Sequence, residues 1–447
     1  MVATVIHTRC YSDTGHFKVS PCAIPSQLTD PLIRFIVPQM TGEKPGIVII
    51  GGGIGGLTLA LALRARGLSC RVFEAAPEFR PLGVGINMLP HAIRELTALG
   101  LEPELKAHGV EAREFAYFNR HGQAIFAEPC GRFAGYKHPH FSIHRADLHK
   151  VLFDAARDRL GPDAVRLDHR CAGIEQDAAG VTVRFDNGAT ATGSVAIAAD
   201  GFHSAVRRQF HPSEGAPQFG GINMWRGVTR RKPFLTGASV TRIGTVARGK
   251  MVIYPIRQFD DGTQLINWNT EQPRDDHKLN NWATPGRIED FIEPFADWRF
   301  DWLDIPRLIA GAEFILEYPM VDRDPIDRWT FDRVTLMGDA AHPMYPRGGN
   351  GGAQAILDAE ALARRLDQCD DPMAALLAYE DERRDVTSEI VLTNRDQPPD
   401  YIIETVDALT GGERFKTIED VIDPAELAAI SDRYKNIARY SLDMVGR

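Results

Sequence analysis

The feature that most constrains this chain is a short run near residue 46, where an apolar strand breaks into a cluster of glycines. Gly46-Ile47-Val48-Ile49-Ile50 is β-branched and continuous, as expected for a strand buried on both faces. It leads into Gly51-Gly52-Gly53-Ile54-Gly55-Gly56, which satisfies G-x-G-x-x-G. An apolar helix follows through Leu57, Leu61 and Ala65, with Gly67 placed as its C-terminal cap. Arg71-Val72-Phe73 reads as the next strand and ends at Glu74. Each residue type has a job in this order. Gly51 permits the tight turn, Gly53 lets backbone approach a pyrophosphate, and Gly56 lets helix pack on strand. Gly55 belongs to the same loop, and the helix N-terminus offers free N–H groups to phosphate. Glu74 stands where an acid accepts hydrogen bonds from ribose hydroxyls. The motif predicts a dinucleotide and does not choose between FAD and NAD.

Two later segments make that choice. In Val195-Ala196-Ile197-Ala198-Ala199-Asp200-Gly201 a buried strand ends at an Asp-Gly turn, and a helix starts near Ser204 with Arg207 in its first turn. Read locally, Asp200 makes turn hydrogen bonds and Gly201 supplies positive φ. In Arg333-Val334-Thr335-Leu336-Met337 a strand ends in Gly338-Asp339-Ala340-Ala341-His342-Pro343. Met344-Tyr345-Pro346 and Arg347-Gly348-Gly349-Asn350-Gly351-Gly352 follow, then a helix with Ile356, Ala359, Ala363 and Leu366 on one face. An acid at a strand end can anchor ribityl hydroxyls. A glycine run at a helix N-terminus aims N–H groups at an anion, and reduced flavin carries negative charge at its N1–C2=O edge. Such a terminus is worth up to about 2 kcal/mol to that anion.

With these motifs in order, the chain resembles the group A flavoprotein monooxygenases, the family of para-hydroxybenzoate and salicylate hydroxylases, over about residues 45–395. The resemblance implies that Gly51, Gly53, Gly55, Gly56 and Glu74 form the N-terminal FAD fingerprint. It implies that Asp200, Gly201 and Arg207 serve FAD and NAD(P)H, and that Asp339 holds the ribityl chain. Pro346, Gly349, Asn350, Gly351 and Gly352 would lie beside the isoalloxazine ring. Arg145, in Ile143-His144-Arg145-Ala146-Asp147-Leu148, resembles the family's FAD-contacting arginine, and Arg80 opens another family-like string, Arg80-Pro81-Leu82-Gly83-Val84-Gly85-Ile86-Asn87. Together with Met224-Trp225-Arg226-Gly227-Val228-Thr229 and Tyr318-Pro319-Met320-Val321-Asp322-Arg323-Asp324-Pro325, it is similar to flavoprotein hydroxylases of phenazine carboxylates. The implied activity is hydroxylation of an aromatic substrate, one with several rings and a carboxylate included, with NADPH or NADH as reductant and O2 as co-substrate, through a flavin C4a-hydroperoxide. Other flavin oxygenations (decarboxylative hydroxylation, epoxidation, Baeyer–Villiger oxidation) and a flavin-binding protein without turnover share the same scaffold.

The expected fold is α/β: a Rossmann-like FAD-binding part (44–115, 140–215 and 325–395) interleaved with a mixed-sheet substrate part (116–139 and 216–324). A helical tail spans 396–447. Residues 1–43 show no sustained period and are expected to be a flexible extension, with Met40 as an alternative start. Between 215 and 325 the pattern turns to short strands, clearest at Met251-Val252-Ile253-Tyr254 and Gln264-Leu265-Ile266-Asn267-Trp268. Aromatics are dense there: Trp225, Tyr254, Trp268, Trp282, Trp298, Trp302 and Tyr318. Most are expected in sheet core and two or three against a flat substrate. Tyr254 is the leading candidate for a substrate contact, by a hydroxyl that hydrogen-bonds a phenol or amine. Some family members carry a histidine base four residues earlier, where this chain has Lys250. Lys250 or Arg226 would either pair with a substrate carboxylate or be solvated surface charges.

Composition excludes several other classes. A net charge of −9 without like-charge blocks argues against nucleic acid. No apolar run approaches the roughly 18–20 residues of a membrane span. Six scattered cysteines with no C-x-x-C pair suggest reduced thiols in a cytoplasmic protein, and no His/Cys cluster has metal-ligand spacing. The chain is expected to act as a monomer or homodimer.

Overall fold

A computed structural model describes residues 46–79, 83–275 and 284–446. The expected extension at 1–43, Arg80, and Trp282 lie outside the described residues.

The run Ile47–Ile50 is a strand, buried on both faces because parallel neighbours flank it and helices cover the sheet. Six strands align in the order Thr330–Phe331, Val334–Leu336, Ala196–Ala198, Ile47–Ile50, Cys70–Phe73 and Val165–Arg166. All neighbouring pairs are parallel except the first. The strands preceding the glycine loop, the Asp-Gly turn and the Gly-Asp turn are therefore adjacent: Val48 pairs with Ala196, and Ala196 with Val334. Three motifs far apart in sequence end along one edge of one sheet, where a doubly wound fold binds its ligand. The helix Ile54–Ala65 packs on the helix Asn350–Gln368, so the two glycine-loop helices touch.

Eight strands form a second, mixed sheet in the order Thr284–Pro285, Ala312–Asp322, Gln218–Arg231, Gln264–Pro273, Gly249–Gln258, Ser239–Thr245, Glu114–Phe118 and Ala124–Pro129. The central strands are longer than the expected short ones: Gln218–Arg231 runs 14 residues and Gly249–Gln258 runs 10. Pro255, which lacks an N–H, sits at a register shift rather than ending its strand.

Strand alternation sorts this sheet's side chains into two faces. One face carries Trp225, Ile243, Met251, Ile253, Ile266 and Trp268 and is sealed by Phe291, Phe295, Trp298 and the helix Ile305–Ala310. The other carries Phe115, Tyr117, Val240, Tyr254 and Ile256, and meets Ile402, Ile403, Val406 and Tyr434 from the C-terminal helices Tyr401–Thr410 and Pro424–Ile437. Trp225, Trp268 and Trp298 belong to the sealed face, as core, and the partly buried Trp302 packs against it. Tyr254 is on the opposite face. No helix among the described residues is long and apolar enough to cross a membrane.

Candidate active site

The glycine loop is built around one carboxylate. Glu74 Oε2 accepts from Gly52 N at 2.7 Å and Oε1 from Ala76 N at 2.8 Å, so the acid closing the second strand also fixes the loop. His149 braces the other side, with its Nε2 2.6 Å from Gly52 O. Sequence reasoning missed this histidine; its one signal is a place one helical turn beyond Arg145, on the same helix Arg145–Leu160. A side chain at Gly53 would meet nothing within 4 Å, whereas at Gly51 it would lie 2.3 Å from Ala199 O and at Gly56 2.0 Å from Gly51 O. Gly55 faces inward at Met337 and Ala355, and serves helix packing.

The Asp-Gly turn adopts the local arrangement. Gly201 has φ 75°, and Asp200 Oδ2 accepts from Ala205 N at 2.8 Å while Ser204 caps the helix Ala205–Phe210. Asp200 Oδ1 is buried with no partner among the described residues, and burial raises its carboxyl pKa. Arg207 is buried and spends its guanidinium on Ala340 O (3.0 Å), Ala341 O (2.8 Å) and Glu214 (2.6 Å). It is the strut between the Asp-Gly and Gly-Asp turns.

Asp339 is exposed between buried Gly338 and Ala340. Its turn is anchored from behind, where Gly338 N donates to Asp358 Oδ2 at 3.1 Å. Asp358 also bonds His342 Nε2 (2.6 Å) and Arg383 Nε (2.7 Å), and these two neighbours hold its carboxyl at about 2 despite burial. Gly348 and Gly349 both have φ 69°, and the helix Asn350–Gln368 starts there. A side chain at Gly351 would lie 3.9 Å from Asp339 Oδ1, so the acid borders the glycine run. Pro346 is exposed beside it. Asn350 is buried and turned inward, donating to the Tyr434 hydroxyl at 2.8 Å, and Gly352 packs on Ile86 and Met88.

Facing this edge, the eight-stranded sheet holds a row in register across four strands. Leu316 pairs with Arg226, Arg226 with Asn269, and Asn269 with Val252. All four are half-buried, on the face of the sheet opposite the sealed one. The Arg226 guanidinium lies 4.1 Å over the Tyr318 ring, and no carboxylate among the described residues pairs with it. Burial, and the like charge of Arg145, lower its pKa. Burial pushes the Tyr318 phenol up to about 12, and Arg226, Asp339 and Arg145 all act on it electrostatically. Burial also raises the Tyr254 phenol, with Arg226 pulling it back. The structure thus gathers Arg226, Tyr254, Arg145 and Asp339, and adds Tyr318, Asn269 and Val252.

Lys250 is not with them. Its ammonium is buried and ion-paired to Glu271 Oε2 (2.9 Å) and to Asp400, so it has no charge to offer a substrate and is not a solvated surface lysine. The sequence shows a lysine next to Tyr254 on the correct face; it does not show two carboxylates arriving from residues 271 and 400.

These groups fit FAD: an open approach at Gly53, a fixed acid at Glu74, an exposed acid at Asp339, and a glycine-rich helix terminus beside it. The FAD binding domain family matches residues 45–302 and 313–393. The chain belongs to the group A FAD-dependent aromatic monooxygenases, enzymes that use NAD(P)H and O2. It is 42% identical over 409 residues to the phenazine 1,6-dicarboxylic acid hydroxylase PhzS of Lysobacter antibioticus, covering 89% of this chain and 98% of that protein. It is 33% identical over 371 residues to the 3-amino-4-hydroxybenzoate 2-monooxygenase PtmB3 of Streptomyces platensis, covering 81% and 90%. Among solved structures, a single-residue variant of Klebsiella pneumoniae HpxO complexed with FAD aligns with a TM-score of 0.70 at 26% identity, covering 90% of this chain and 98% of that one.

Proposed function

We propose that the enzyme hydroxylates a flat aromatic carboxylate of one to three fused rings, and that Arg226 receives the carboxylate. The observation that carries this reading is a half-buried guanidinium with no acid partner among the described residues, set in a row with Asn269 and Val252. A buried cation without an anion is costly, and a bidentate carboxylate is the ligand that relieves it. Leu316 on one side of it, and Val252 beyond Asn269 on the other, add apolar surface on which a ring system can lie. Both named relatives act on aromatic acids, by the words of their names.

Bound FAD supplies the oxygen-activating redox chemistry; the side chains bind, orient and exclude water. Glu74, Gly53, Asp339, Arg145 and the Gly349–Gly352 run would hold the cofactor. Tyr254 stays a neutral phenol, because burial raises its pKa, and it donates or accepts a hydrogen bond at a ring substituent rather than acting as a resident base. Free thiols at Cys70, Cys130, Cys171 and Cys369 support a cytoplasmic setting.

The test pairs acids with their uncharged counterparts. Wild-type kcat/KM should favour phenazine-1,6-dicarboxylate or a quinoline carboxylate over the ring lacking the carboxylate. Arg226→Met should erase most of that preference, by a factor on the order of 30–100 for one charge-assisted pair. A preference that survives Arg226→Met places the carboxylate elsewhere and refutes the assignment.

A further inference from the structure

The match to the FAD binding domain ends at residue 393, yet the loop beside the proposed isoalloxazine position is tied to residues beyond it, directly at one end and through Glu271 and Lys250 at the other. At one end, Asn350 Nδ2 donates to the Tyr434 hydroxyl (2.8 Å), which in turn donates to Asn394 Oδ1 (2.7 Å). The same hydroxyl lies against Gly348, where a Cβ would come within 1.9 Å of it. At the other end, Arg347 Nη2 reaches Glu271 Oε2 at 3.3 Å, Glu271 holds Lys250, and Lys250 holds Asp400. Arg242 completes the ladder on Asp400 at 3.1 Å. Tyr434 and Asp400 belong to the C-terminal helical segment.

We infer that this C-terminal segment positions the glycine-rich loop, with Tyr434 setting the aim of the N–H groups at Gly349–Gly352. The inference rests on the reading that this loop faces the flavin. Tyr434 is buried and its phenol is raised by burial, so its single proton goes to Asn394 and its lone pair to Asn350; the bond order is directional. With Asn350 fixed at the first turn of the helix Asn350–Gln368, the free N–H groups of that turn point one way. They favour the more anionic, reduced state of a flavin placed before them. Tyr434 touches neither cofactor nor substrate in this scheme and is a positioning residue.

The variant to make is Tyr434→Phe, which keeps the ring and removes the hydroxyl. The expected result is a tenfold loss of preference for reduced over oxidised flavin, read as a fall of about 30 mV in the two-electron potential, with more NAD(P)H oxidised per product formed. Tyr136→Phe is the control: its hydroxyl donates to Tyr440 O at 2.8 Å in the same segment but away from the loop, so it should lower Tm and leave the potential alone. In an Asn350→Ala background, Tyr434→Phe should have no further effect on potential. Gly351→Ala, which meets only 3.9 Å contacts, tests the underlying reading. A potential moved by Gly351→Ala but not by Tyr434→Phe overturns the positioning role alone. A potential moved by neither overturns the placement of the loop as well.

Discussion

Two glycines of one motif should fail in different ways. At Gly51 the backbone has φ 104°, and an added Cβ would sit 2.3 Å from Ala199 O, a backbone atom directly after the neighbouring strand that cannot swing aside. Positive φ costs an alanine about 1–2 kcal/mol, and overpacking a rigid site adds about 1–3 kcal/mol. Gly51→Ala should therefore destabilise the apoprotein by about 2–5 kcal/mol. At Gly53 the conformation is ordinary, φ −73° and ψ −174°, and a Cβ meets nothing within 4 Å. Gly53→Ala should leave the apoprotein within about 0.5 kcal/mol of wild type. Its cost should appear only when a pyrophosphate needs that space, where one misplaced methyl at about 1–3 kcal/mol weakens FAD by about 5- to 150-fold. The assay is thermal unfolding of flavin-stripped protein beside a flavin-fluorescence titration of FAD. Gly53→Ala binding FAD like wild type, or lowering the apoprotein Tm as much as Gly51→Ala, would refute the reasoning.

The buried ladder predicts an order that chemical similarity alone would not. Lys250→Met leaves two anions with two arginines, whereas Glu271→Gln leaves three cations with one anion, so Glu271→Gln should cost about 3–5 kcal/mol and Lys250→Met clearly less by thermal unfolding; the reverse order would sink this account. Glu404 faces Asp400, Glu271, Lys250 and Arg347, and burial with Asp400 raises its carboxyl. The folded state then binds its proton more tightly than the unfolded one, so stability falls as pH rises from about 4.3 through that raised value. Glu404→Gln should raise Tm at pH 7 and give no gain below about pH 4; equal gain at both would contradict it. Asp358 has the opposite sign. Its depressed carboxyl contributes stability above about 3.9 that is lost as pH falls towards 2. The urea midpoint should fall less steeply across that acid window in Asp358→Asn than in wild type, with weaker FAD binding at neutral pH because the single amide oxygen cannot serve both Arg383 and the Gly338–His342 side.

What was legible in the sequence was what local chemistry writes there. A four-residue apolar run, a glycine spacing and an acid at a strand end are each dictated by neighbours in the chain, so Gly53, Glu74 and Asp339 could be placed in advance. Strand alternation put Tyr254 on one face and could not say which face was sealed; that depended on Phe291, Phe295 and Trp298 arriving from a later segment. Register was equally invisible. The row Leu316–Arg226–Asn269–Val252 exists because four strands align at those residues, and no single strand's pattern announces it. The C-terminal residues had no readable motif because Asp400 and Tyr434 act through partners 150 and 84 residues away.

Lys250 shows why the buried ladder and the row that holds Arg226 must be kept apart. Both contain cations on the same face of the same sheet, and Arg226 and Lys250 are separated by one intervening strand in the order. The difference lies in what the rest of the chain brings. Glu271 and Asp400 neutralise Lys250, and Asp400 and Glu271 neutralise Arg242 and Arg347 in part, so this side of the sheet is closed, charged and rigid. Among the described residues no acid is brought to Arg226, and its row-mates Leu316, Asn269 and Val252 stay half-buried. Two carboxylates thus serve three cations within one stretch of interior, while among the described residues the fourth has none, which is the contrast behind the proposal that Arg226 takes an anion from outside. The same ladder that closes this side also ties down Arg347 at the head of the glycine-rich loop, so a charge lost from it should be felt at that loop as well as in the sheet.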